Sequence, residues 1–237
     1  LSDLNRDERQ ELSKYLKRDC VALRQCLQEF TDIISDLTNG NVGPQLTVAS
    51  TALSVYQCHF MQDEKLENGI KQSDPHIEAK TRESYYGGRT EVFKQRAHED
   101  NGPYHHYDVN SLFPHCYTNF RLPAGKPHYI EEPEGDILSW DQFGGVVRIN
   151  AVVDEDTQIP VLPNRYKPES ANAEKVLFPT GPVTGWYSMR EVRYAKEIGQ
   201  FESLRIEEAV LSRLEYCFEK FGNAMYERKR QIDKSEN

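Results

Sequence analysis

The sequence predicts an α+β fold, and three observations lead there. Apolar residues recur at three- and four-residue spacings across 5–38, the period of a helix with one buried face. Two later segments, Gly145 to Val153 and 202–209, have the alternation and residue types of strands. Between them, Ser188-Met189-Arg190-Glu191 fits the S-x-x-E capping box and opens a helix that Gly199 closes.

The first helix carries Leu12, Leu16, Cys20, Leu23, Leu27, Phe30, Ile34 and Leu37 on one stripe, and Asn39-Gly40 is its stop. Asp19 falls inside that stripe, with Tyr15 one turn earlier on the same face. A carboxylate buried there without a partner is costly. Two readings follow: Asp19 lies at the stripe's edge and pairs with Lys14, Lys17 or Arg18, or it binds a divalent cation beside the Tyr15 hydroxyl. A loop over 38–46 leads to a second helix at about 47–60, with Val48, Ala52, Leu53, Tyr56 and Phe60 on one face. Residues 61–76, with Asn68-Gly69 and Asp74-Pro75, read as an exposed polar connection.

Next comes Tyr85-Tyr86-Gly87-Gly88-Arg89. The plain reading is a Gly-Gly turn before a strand at 89–94. The functional reading is a clamp, in which glycines allow unusual backbone angles and close approach while Arg82 and Arg89 supply phosphate contacts. Strand 89–94, the Glu99-to-Gly102 turn and strand 104–109 would pair as a hairpin. Asp108 then stands at a strand end, where Asn110-Ser111 breaks the alternation and Pro114 can neither extend a ladder nor sit inside a helix. Such an Asp either caps the turn or holds a metal against a substrate. His106 shares its face at i+2 and reads as a half-exposed strand residue.

A short helical piece, His115 to Phe120, precedes a rigid turn at 122–127. Residues 154–182, rich in Pro, Asp, Glu and Asn, read as surface excursions. A last helix over about 212–231 carries Leu214, Phe218, Phe221 and Met225 on one face. Lys220, Arg228, Lys229 and Arg230 make its far end basic, as a solvated face or a phosphate-facing one.

The 237 residues hold 38% hydrophobic and 28% charged side chains, enough for one or two domains and a sizeable core. No apolar run approaches the roughly 18 residues of a membrane span. Five cysteines without CxxC spacing argue against a zinc site and a disulfide framework and for a reducing compartment. A net charge of −9 does not mark a nucleic-acid binder, although a whole-chain average leaves room for a local basic groove. No signal peptide is visible and both ends read as cut, so a fragment is expected.

Four features stand in fixed order: Tyr-x-x-x-Asp (Tyr15, Asp19), Tyr-x-Gly-Gly (Tyr85, Gly87, Gly88), Asp-Val-Asn-Ser-Leu-Phe-Pro (108–114) and Leu-Pro-x-Gly-Lys-Pro (122–127). In that order and spacing they resemble the protein-primed family-B DNA polymerases of phages, linear plasmids and organellar elements. The resemblance covers essentially the whole chain. It implies the C-terminal helix of a 3′–5′ exonuclease domain over 1–40 and a linker with a connecting helix over 41–80. It places the start of a polymerase palm, with its antiparallel sheet, at 81–116. A palm insertion that contacts the priming protein would occupy 117–185, and palm leading into fingers 186–237.

The same resemblance implies roles. Asp19 would bind a proofreading metal, with Tyr15 positioning the attacking water. Tyr85, Gly87, Gly88 and Arg89 would contact template or primer. Asp108 would be the first catalytic carboxylate and Val109 would offer its carbonyl to a metal, Mg²⁺ or Mn²⁺. Ser111, Leu112 and Phe113 would bind the incoming nucleotide. Phe113 falls where the family usually has a Tyr that excludes the ribose 2′-hydroxyl. The ring that excludes is kept and the hydroxyl is lost.

The implied activity is template-directed DNA synthesis on a DNA template-primer, using dNTPs and a terminal protein as primer. The setting would be host cytoplasm or mitochondrion, with a monomeric enzyme and no membrane. The chain lacks the fingers Lys helix and the Asp-Thr-Asp motif, so the isolated piece is expected to be inactive. Two other classes stay open. One is a non-catalytic nucleic-acid or priming-protein binding module. The other is an unrelated metal-dependent hydrolase, for which further acidic clusters are missing.

Overall fold

A computed structural model describes residues 5–61, 74–93, 102–168 and 173–235. The contacts fall into two units, Leu1–Leu66 and Glu67–Asn237.

The smaller unit is built on α1, Arg6–Thr38. Asn5 starts it with a full capping box: its side chain accepts from the Asp7 and Glu8 amides, and the Glu8 carboxylate accepts from the Asn5 amide. Asn39 ends it in the left-handed conformation, followed by Gly40, as the sequence predicts. The stripe is a different matter. Ile34 and Thr38 are buried, but Leu16, Leu23 and Leu27 are more than half exposed. The period of a helix marks a face; burial of that face needs a neighbour, and here one covers only the C-terminal turns. That neighbour is α2, Val48–Val55, which continues as a π turn over Tyr56–Phe60. Its buried residues are Thr51, Val55 and Tyr56, whereas Val48 and Leu53 point to solvent.

The larger unit is a four-stranded antiparallel sheet of order β1-β6-β2-β5. The strands are β1 (Leu122–Glu131), β2 (Phe143–Val153), β5 (Gly181–Ser188) and β6 (Phe201–Glu215). Strict alternation along β2 puts Val147, Ile149, Ala151 and Val153 on one face. There they meet Ile137, Leu138 and the helix α5 (Met189–Glu197) through Met189, Val192 and Ala195. The opposite face carries Val146, Trp186 and Val210 and packs against Ile77 and Tyr129. Ile77 belongs to α3, Pro75–Glu83. Helices therefore cover both faces of the sheet.

Several expectations are corrected. The Leu122-to-Pro127 turn is instead the start of β1, with its irregularity confined to a register shift between Ala124 and His128. Only half of the capping box at Ser188 forms: the Glu191 carboxylate takes the Ser188 amide, while the Ser188 hydroxyl makes no cap bond. Burial raises the Glu191 pKa. The expected excursions over 154–182 contain a two-stranded hairpin, β3 (Asn164–Tyr166) and β4 (Lys175–Leu177). Residues 212–215 belong to β6, so the last helix, α6, starts later, at Glu219, and runs to Ser235. It packs on α4, Leu112–Asn119. Tyr117 and Phe218 meet edge to face at 5.8 Å, and Gly222 lets the Thr118 side chain approach its backbone.

Candidate functional site

Asp108 stands at the end of an exposed stretch, 102–109, that belongs to neither helix nor strand. The predicted strand 104–109 is thus not formed. A strand persists by pairing, and no described segment pairs with this one. His106 is accordingly exposed rather than half-buried in a ladder. Of its supposed hairpin partner, residues 89–93 are also not strand, and the rest, with most of the turn, lies outside the described residues.

The chain then turns sharply. Ser111 takes φ +55°, ψ +41°, a left-handed conformation that is uncommon for a residue with a Cβ. The Leu112 amide donates to the Val109 carbonyl at 3.3 Å, and the His115 amide to the Ser111 carbonyl at 2.9 Å. α4 begins at once with Leu112 and Phe113, and Pro114 sits in its first turn. That corrects the expectation that Pro114 stays out of the helix: the first turn has amides without intrahelical partners, so a missing N–H there costs nothing. Asp108, Val109, Leu112 and Phe113 are all exposed, Phe113 at 83%. The tight turn gathers one carboxylate, one free-standing aromatic ring and the N-terminal turn of a helix within six residues.

The Tyr85–Arg89 segment is held by the larger unit. It follows α3, which sequence reasoning missed, although Asp74-Pro75 is also an N-cap followed by a proline at N1. Lys80 of α3 pairs with Glu208 of β6 at 2.6 Å and lies 4.6 and 5.0 Å from the ring centres of Tyr129 and Trp186. Arg148 and the Tyr129 hydroxyl also bond to Glu208. The Lys80 hydrogen bond, and after it that of Tyr129, holds the Glu208 carboxyl down at about 2.

Tyr86 stacks on Tyr187 with ring centres 5.6 Å apart, and burial raises the pKa of both phenols. Tyr85 is 79% exposed. Neither Gly87 nor Gly88 has a positive φ, which corrects the expectation of unusual backbone angles, and a Cβ at either would meet open space. Arg89 is occupied. It pairs with Glu91, donates to the Pro160 carbonyl at 2.7 Å and lies 4.2 Å over the Phe178 ring. Arg82 bonds Glu78 within its own helix.

Tyr15 and Asp19 lie on the exposed stretch of α1 in the smaller unit. Their i, i+4 spacing puts them on one face, but Asp19 is not buried, so the desolvation cost expected of it does not arise. Among the described residues no three His, Cys, Asp or Glu side chains come together to hold a metal. The Asp108 carboxylate and Val109 carbonyl are hard oxygens of the type Mg²⁺ prefers, and two such groups are fewer than the six ligands of that ion.

Residues 2–237 match the DNA polymerases of type B, organellar and viral. The chain belongs to this family. It is 27% identical over 223 residues to a probable DNA polymerase of Ascobolus immersus, covering 94% of this chain and 17% of that protein. A probable DNA polymerase of Neurospora intermedia is 27% identical over 238 residues, with 97% and 23% covered. The DNA-directed DNA polymerase of Enterobacteria phage PRD1 is 30% identical over 119 residues, half of this chain and 18% of that one. The chain thus spans about a fifth of the length of these type B relatives. Phi29 DNA polymerase shares the fold, with a TM-score of 0.55 and 16% identity over 82% of this chain and 34% of that chain. The α+β arrangement with an antiparallel sheet and packed helices is therefore a polymerase fold. No helix among the described residues is long and apolar enough to cross a membrane.

Proposed function

We propose that this chain is the palm-side part of a DNA-directed DNA polymerase and that Asp108 carries its nucleotidyl-transfer chemistry. The observation that carries the reading is the turn at Asp108. It exposes a carboxylate, an apolar ring and a helix N-terminus together within six residues. Family membership supplies the substrate class. A solved Phi29 polymerase of the same fold is complexed with primer-template DNA and incoming nucleotide.

Asp108 and the Val109 carbonyl would hold Mg²⁺ or Mn²⁺, which lowers the barrier by neutralising charge at the attacking 3′-oxygen and the leaving pyrophosphate. The first-turn amide of Phe113 faces an anion favourably because of the helix dipole, the Leu112 amide would join it on leaving the Val109 carbonyl, and Ser111 shapes the turn that aims them. The Phe113 ring excludes a 2′-hydroxyl by bulk.

Tyr85, Gly87 and Gly88 grip the template-primer. Both glycines stand in open space with ordinary φ, so nothing in the chain itself demands glycine there, and close approach by a nucleic-acid backbone does. Arg89 steadies the end of that segment. Tyr15 and Asp19 belong to a 3′–5′ proofreading site, with 1–40 as the tail of its domain, 41–80 as connection and 81–116 as the start of the palm. The palm insertion, 117–185, meets a terminal priming protein, and 186–237 leads to the fingers. The setting is a reducing compartment, consistent with the five thiols, and the enzyme acts as a monomer.

A second reading has an observation of its own. Among the described residues Asp108 belongs to no group of three or more His, Cys, Asp or Glu side chains that could hold a metal, which suits a non-catalytic binding module that keeps the palm fold. Template-directed primer extension by the complete protein, and its loss on Asp108→Ala, separates the two.

A further inference from the structure

Arg165 lies on β3, in the excursion between β2 and β5, yet its side chain reaches back to the end of α3. Nη1 donates to the Glu83 carbonyl at 3.0 Å and Nη2 to the Tyr85 carbonyl at 2.6 Å. The guanidinium carbon lies 4.3 Å from the centre of the Tyr86 ring, which itself stacks on Tyr187 of β5 at an interplanar angle of 10°. One side chain therefore takes the Glu83 carbonyl at a helix C-terminus and the Tyr85 carbonyl just beyond it, and lies over the aromatic ring that follows. A second clip follows Gly88: Arg89 bonds the Pro160 carbonyl and covers Phe178, at the two edges of the same excursion. Between the clips, only the Tyr85 ring and the Gly87–Gly88 backbone stand clear.

We propose that Arg165 is a positioning residue, which sets the direction in which Tyr85 and Gly87–Gly88 face a nucleic-acid strand. The excursion thereby governs the grip of a segment about 80 residues earlier in the chain. The proposal rests on the reading that Tyr85–Gly88 contacts template or primer. Arg165 acts through that segment and does not itself touch DNA. The chemistry requires arginine: two carbonyls taken by two nitrogens of one guanidinium that also lies over a ring suit a flat fork of donors, which a lysine ammonium does not offer.

The test uses the full chain as wild type, Arg165→Met, Arg165→Lys, Tyr85→Ala and the Arg165→Met/Tyr85→Ala pair. Amide hydrogen exchange is measured without DNA. Both Arg165 variants should speed exchange over 83–88 by about tenfold, the loss of charge-assisted bonds, with β2 unchanged. Unchanged exchange at 83–88, or equal acceleration in β2, overturns the proposal. The second arm is fluorescence anisotropy with a labelled primer-template hairpin. Arg165→Met and Arg165→Lys should weaken binding about equally, and the double variant should lose less than the sum of its two single losses. Rescue by Lys, or additive losses, overturns the positioning role. If Tyr85→Ala binds as wild type does, the nucleic-acid reading of that segment fails instead, and the exchange arm alone decides for or against Arg165.

Discussion

Glu208 is a residue whose environment makes a measurable claim. Its ordinary value is 4.5, and Lys80 and then Tyr129 hold it at about 2 in the folded chain. A carboxyl depressed on folding contributes stability that is complete above the unfolded value and is lost as pH falls through the folded one. The melting midpoint should therefore fall between about pH 4.5 and about pH 2, and Glu208→Gln should flatten that limb. Parallel curves for the two proteins would remove the clasp from the account. A pair of substitutions in α1 probes burial at the same scale. Ile34→Ala should cost about 2–4 kcal/mol in urea unfolding, because Ile34 is 7% exposed. Leu23→Ala, at a position 61% exposed, should stay within about 0.5 kcal/mol. Both residues lie on the stripe that the sequence marks. Spacing tells which residues share a face, and it is silent about which part of the face has a neighbour. For the same reason the spacing puts Asp19 in a stripe expected to be buried, and Asp19 is exposed.

The elements were legible where their signals are local. The Asn39-Gly40 stop of α1, the alternation of β2 and the Gly199 stop of α5 all stand as read. Signals with two meanings misled. Asp74-Pro75 marks a turn or a helix start, and here it starts α3; the apolar run into Pro114 ends a strand or begins a helix, and here it begins α4. Pairing partners more than a hundred residues apart, such as Lys80 with Glu208, leave no local trace at all.

The α4–α6 contact gives a prediction at this scale. A Cβ at Gly222 would lie 1.9 Å from Thr118 Oγ1 and 3.1 Å from its Cβ. Gly222→Ala should destabilise the larger unit by about 1–3 kcal/mol despite the better helix propensity of alanine. Adding Thr118→Ala should recover part of the loss, since it removes the nearer atom and leaves the farther one. A neutral Gly222→Ala would mean that the two helices are not so closely packed.

At the scale of the whole molecule, the sheet and the helices that cover it belong to the polymerase fold, and the family match extends over nearly the full chain. The family was legible because four short motifs keep their order, which no single motif conveys. That the stretch before Asp108 forms no strand was not, because whether a strand finds a partner is settled elsewhere in the chain. Under the proposed function two carboxylates have separate chemistry: Asp108 in the larger unit serves synthesis and Asp19 in the smaller one proofreading.

One gel assay tests that division: extension and degradation of a labelled primer by the complete protein with Mg²⁺, as wild type, Asp108→Ala and Asp19→Ala. Asp108→Ala should lose synthesis by on the order of 10³, the several kcal/mol of a metal-bound transition state, while primer-template binding stays near wild type and degradation persists. Asp19→Ala should keep synthesis and lose degradation. Undiminished primer extension by the Asp108→Ala protein would contradict the central claim.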